Sequence, residues 1–182
     1  MPDHGLVAAD GKPLRARSCG ACGSSAGKPV LGFAACGAVM RRDAFLGVGG
    51  FDPVVFFGGE ETRVALDLAA DGWQLRYFPE LIVHHHPSSN RQSEATHRAR
   101  IARNLLLTAV MRRPWPVVDA HLKNAARSGP GRRGLASAAR ALPRALVRRR
   151  QIPDWLEAEL RHLENWEAEF RRKRLSELPN SG

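Results

Sequence analysis

From Glu94 onward the apolar residues recur at helical spacing and prolines supply the main interruptions, which confines the second half of the chain to helices. Ile101, Leu105 and Thr108 with Ala109 share one face, while Arg98, Arg100 and Arg103 lie largely elsewhere. Pro114 and Pro116 end that first helix, because proline lacks an N–H and its ring collides with the preceding turn. A second, basic helix is expected over about Leu135 to Arg149 with Pro143 inside it. A third is expected from Asp154, where Asp154 and Glu157 resemble a capping box and Leu156, Leu160, Leu163 and Phe170 form an apolar stripe.

Ahead of Glu94 the pattern changes. Residues 1–29 are rich in Gly, Ser, Pro and Lys/Arg without apolar periodicity and read as a flexible lead-in. Val30 to Met40 is an apolar run suited to a strand buried on both faces. Arg41 to Leu46 suits a short helix stopped by Gly47, and Gly49-Gly50-Phe51-Asp52-Pro53 is a turn. Glu60 to Asp71 carries Val64, Ala65, Leu68 and Ala69 at helical spacing before Gly72, so two glutamates open a helix. Trp73 to Phe78 reads as a strand ended by Pro79, and Leu81 to Val83 leads into His84-His85-His86-Pro87. Strand, helix and strand with short connections predict an α/β domain over 30–93, followed by a helical tail over 94–182 that is basic to about residue 150. No internal repeat is visible.

The tail also holds the charge. The chain has a net charge of +10, but residues 91–150 carry 15 Lys/Arg against 2 Asp/Glu, whereas residues 1–90 carry 8 against 9. Attraction to anionic partners is therefore expected in that block. Its alternating apolar and arginine faces suit a helix lying on an anionic membrane surface. Apolar residues at 43% exclude wholesale disorder. No stretch approaches the roughly 18 apolar residues that span a bilayer, and the start has no basic-then-apolar leader. With three cysteines, the expectation is a reduced, cytoplasmic protein, peripheral to membranes at most.

Several weak motifs stand in order: Gly37-Ala38-Val39-Met40-Arg41-Arg42, Gly49-Gly50-Phe51-Asp52, Phe56-Phe57-Gly58-Gly59-Glu60-Glu61, Gly72-Trp73, Tyr77-Phe78-Pro79 and His84-His85-His86. Over about residues 29–115 this order resembles the carboxy-terminal half of family 2 glycosyltransferases. The resemblance implies a partial GT-A-like α/β fold, the acceptor-side half of an inverting, metal-dependent transferase. It also implies a nucleotide-sugar donor and a carbohydrate or lipid-linked acceptor.

Inverting transfer needs a carboxylate that removes the acceptor hydroxyl proton as that oxygen attacks the anomeric carbon. The family commonly has Glu-Asp at the pair, so by position Glu61 matches the base and Glu60 its neighbour. Arg63 stands where the family often has a further aspartate. Two glutamates also suit a helix N-terminus through the macrodipole alone. The resemblance places Gly49, Gly50 and Asp52 on the loop that approaches the donor. It places His84 and His86, on one face of the strand end, near the leaving group, as ligands for Mg²⁺ or Mn²⁺ or as donors to the diphosphate. Phe51 and Trp73 read as core aromatics. Cys19, Cys22 and Cys36 lack the fourth ligand of a zinc site.

No Asp-x-Asp occurs in these residues, so the donor-binding half is expected to lie outside them, and the chain alone is expected to transfer no sugar. The rival reading is a non-enzymatic basic helical module for anionic lipid or nucleic acid. Nucleic acid is disfavoured, because Trp115 is the one aromatic for stacking within 91–150.

Overall fold

In a computed structural model of the chain, residues 27–78, 82–84, 86 and 93–176 are described. Their elements run in order as β1 (Lys28–Val30), a 3₁₀ turn at Ala35–Gly37, α1 (Arg42–Gly47), α2 (Glu60–Ala70) and β2 (Leu75–Tyr77). The helices α3 (Glu94–Arg112), α4 (Trp115–Ala126), α5 (Gly129–Ala139), α6 (Leu142–Val147) and α7 (Asp154–Ser176) follow. The lead-in to residue 26 with Cys19 and Cys22, together with Pro79, Leu81, His85 and Pro87, lies outside the described residues.

The α/β expectation is corrected by this architecture. Helices make up 65% of the described residues, and the sheet among them is one antiparallel pair, β1 with β2, in which Val30 faces Leu75. A GT-A-like domain, even half of one, needs a multi-stranded sheet covered by helices, and these residues do not build it. The Val30–Met40 run is where the pattern misled. Val30 and Leu31 are buried, but the chain then leaves the sheet, turns through Ala35–Gly37 and leaves Val39 98% exposed. Past Val30 no residue of β2 remains to pair with, and the small side chains of 34–38 gain little from burial.

Elements set by local signals form where expected. α1 ends at Gly47, and α2 ends just before Gly72, which takes φ +88°. α3 starts at the Ser93 cap and stops at Pro114. The single basic helix expected over 135–149 is instead two. α5 ends at Ala139 and α6 starts at Leu142, which puts Pro143 in a first turn, where its missing N–H is harmless.

Two cores hold these elements together. The first joins Val30, Leu31 and Ala44 to α2 (Val64, Leu68) and α7 (Leu156, Leu160, Leu163), so the carboxy-terminal helix closes over the amino-terminal elements. Phe170 departs from the expected stripe, being 53% exposed and stacked on Trp166. The second core joins Val54 and Val55 to α3, α4, α5 and α6 through Leu106, Leu107, Val110, Met111, Val118 and Ala138. α5 crosses α3 closely at Gly134, where a Cβ would stand 2.4 Å from the carbonyl oxygen of Ala99. Among the described residues no helix is long and apolar enough to cross a membrane.

Candidate functional site

The glutamate pair follows a loop that turns left-handed three times in succession, at Phe57 (φ +51°), Gly58 (+97°) and Gly59 (+93°). One side chain organises it. Asn104, fully buried on α3, donates through Nδ2 to the carbonyls of Gly58 (2.8 Å), Phe56 (3.2 Å) and Phe57 (3.4 Å). The Gly58 N–H donates to Oε2 of Glu60, so Glu60 folds back to close the loop on itself. Glu61 differs: it is half-buried, and no hydrogen bond or ion pair engages it among the described residues. Beside it Phe56 and Phe57 are 75% and 59% exposed, their rings 6.5 Å apart, and the Arg100 guanidinium lies over the Phe57 ring.

The preceding glycine turn is held from α2. Gly49 and Gly50 take φ +80° and +58°. Arg63 donates from Nη1 to the Gly50 carbonyl (2.7 Å) and from Nη2 to that of Val48 (3.0 Å). Asp52 is buried. Its Oδ1 accepts from the Val54 N–H at 2.8 Å and from Arg148, so within this structure it braces the turn. Phe51 sits edge-on to Phe45 and is 46% exposed, while Trp73 packs on the first core beneath Arg41.

His84 and His86 are both exposed. Among the described residues no three His, Cys, Asp or Glu side chains converge. Mg²⁺ and Mn²⁺ favour oxygen ligands, and the two exposed imidazoles described here supply none.

Sequence reasoning missed how the arginines are used. Arg63 and Arg112 share the carboxylate of Asp67, the first at 2.7 Å and the second through Nε and Nη2 (3.0 Å). Arg113 bonds Glu157 (2.5 Å) and Glu164 (2.8 Å). Burial alone would lower the Arg113 pKa, but the hydrogen bonds to both glutamates outweigh it and hold that pKa above its ordinary value. Arg149 caps the α3 end through the Arg113 carbonyl (2.9 Å) and lies over Trp115. Part of the basic block is thus internal framework and not a solvated face. The available signal was a charged pair four residues apart on a helix otherwise lined by Val64, Ala65, Leu66, Leu68 and Ala69.

Comparison with protein-family models, curated proteins and solved structures finds no match to this chain.

Proposed function

We propose that the loop 56–59 and the first turn of α2 form the acceptor side of an inverting sugar transfer from a nucleotide-sugar, with Glu61 as the base. The observation that supports this is the division of labour in the pair. Glu60 is engaged by the Gly58 N–H, whereas Glu61, half-buried and without a partner among the described residues, is available to a hydroxyl. A base in this role has to come within about 2.6–3.2 Å of the proton-bearing oxygen. Exposed Phe56 and Phe57 offer apolar faces to a saccharide ring, and the Asn104 bonds keep the loop from having to reorganise when it arrives. The order of motifs around the pair adds to this reading, which rests on the loop and the helix and does not call on a GT-A sheet.

Amide NMR of the chain with a panel of oligosaccharides and lipid-linked saccharides tests it. Saturable shifts at residues 56–62, lost in Phe57→Ala, are expected; no response there to any saccharide overturns the proposal. Wherever transfer itself is measured, Glu61→Gln should lower kcat on the order of 10²-fold with donor affinity little changed. A damaging Glu60→Gln beside a mild Glu61→Gln would reverse the assignment within the pair.

A further inference from the structure

The basic block divides in two once its partners are known. Arg112, Arg113 and Arg149 are engaged internally, and on α3 Arg98 pairs with Glu94, Arg100 lies over Phe57 and Arg103 bonds Asn104. α3 also places Leu106, Leu107, Val110 and Met111 in the second core, so little of its apolar face is left for an outside partner.

The remainder lies on α5 and α6. Residues 129–150 hold seven arginines and no Asp or Glu. α5 turns Gly131, Gly134 and Ala138 inward, and α6 turns Ala145 inward. Arg140 (φ −67°, ψ −27°) and Ala141 (φ −96°, ψ −10°) at the joint keep right-handed helical dihedrals, so the helical spacing carries from one helix to the next. On the side away from the buried residues, Arg133, Ala136, Arg140, Pro143, Arg144 and Val147 follow one another at intervals of three or four, and all six are exposed. Val147 is 88% exposed and Leu146 beside it 44%. Among the described residues no hydrogen bond, ion pair or ring contact engages Arg133, Arg140 or Arg144. Like charges gathered on one face without an acidic neighbour repel one another, and an anionic partner relieves that repulsion.

We propose that this face of α5 and α6 docks on an anionic membrane surface, with Arg133, Arg140 and Arg144 on the lipid headgroups and Val147 and Leu146 entering the headgroup boundary. The charge is complementary to such a surface, and long arginine side chains keep their guanidinium groups at headgroup level while neighbouring apolar side chains go deeper. The exposed apolar pair favours lipid over nucleic acid, whose recognition by basic helices needs no apolar tip. Stacking on bases is not provided for either: α5 and α6 carry no aromatic residue, and Trp115 already has the Arg149 guanidinium 4.1 Å over its ring. This docking does not depend on saccharide binding at residues 56–62.

The test is flotation of the intact chain with vesicles of phosphatidylcholine, alone or mixed with phosphatidylserine. Co-flotation with the mixed vesicles only, lost at high salt, is expected. Replacing Arg133, Arg140 and Arg144 together by Ala should weaken binding on the order of 100-fold without altering the circular dichroism, because all three are exposed. Val147→Ser, which leaves the charge unchanged, should weaken it severalfold. Arg98→Ala, on α3, should leave it as it is. The proposal is overturned if the chain stays in the soluble fraction with both kinds of vesicle, if the triple variant floats as the parent chain does, or if Arg98→Ala costs as much as the triple variant. It is equally overturned if Val147→Ser binds unchanged, or if duplex DNA at equal phosphate concentration displaces the chain from the vesicles, since a face that reads phosphate charge alone fits a nucleic acid better.

Discussion

Arg63 and Asp67 stand one turn apart on α2 as a buried ion pair at 2.7 Å, and the same carboxylate also receives Arg112 from the end of α3. This single aspartate therefore ties the glycine turn, reached through the Arg63 bonds to Val48 and Gly50, to the helical half of the molecule. Removing one partner of a buried pair leaves the other charge uncompensated, and here it would leave two.

Asp67→Asn is accordingly expected to destabilise the fold by about 3–5 kcal/mol. Urea unfolding followed by circular dichroism measures it. A loss below about 1 kcal/mol, the range of exposed pairs, would mean that the triad is solvated in solution.

Gly134→Ala probes the crossing of α5 on α3. In an isolated helix the change favours helix formation, by about 1 kcal/mol. At this crossing the added methyl group would press on the Ala99 carbonyl and on Ala102, 3.0 Å away. Overpacking of this kind costs about 1–3 kcal/mol, so the net effect should be destabilising. A higher melting temperature for Gly134→Ala would show that the helices are farther apart than described.

Acid should loosen the junction of α3 with α7. Burial alone would raise the Glu157 carboxyl, but hydrogen bonds from Arg113 and Arg161 outweigh it and hold its pKa below the ordinary 4.5. A carboxylate depressed in the folded state contributes stability that is present above the unfolded pKa and lost as pH falls through the folded one. Unfolding free energy should therefore decline below about pH 4.5, with a slope from this group of at most about 1.4 kcal/mol per pH unit. Glu157→Gln should flatten that limb; an unchanged slope would assign the acid sensitivity to other carboxylates.

What the sequence by itself determined is local. Gly47, Gly72 and Pro114 mark helix ends through backbone conformations and missing donors that act within a few residues, and those ends lie where the pattern put them. The glutamates at the start of α2 and the glycine turn were legible for the same reason. Tertiary structure decided the rest. Whether Val30–Met40 becomes a strand depends on neighbours to pair with, and apolar content alone does not supply them. Whether Glu60 or Glu61 is left available depends on which of them reaches the Gly58 N–H, and one helical position separates the two. The roles of Asp52, Asn104 and the arginines at 112 and 113 arise from partners about 45 to 100 positions away along the chain. A charge count reads such arginines as surface, because burial and pairing are properties of the packed chain and not of its order.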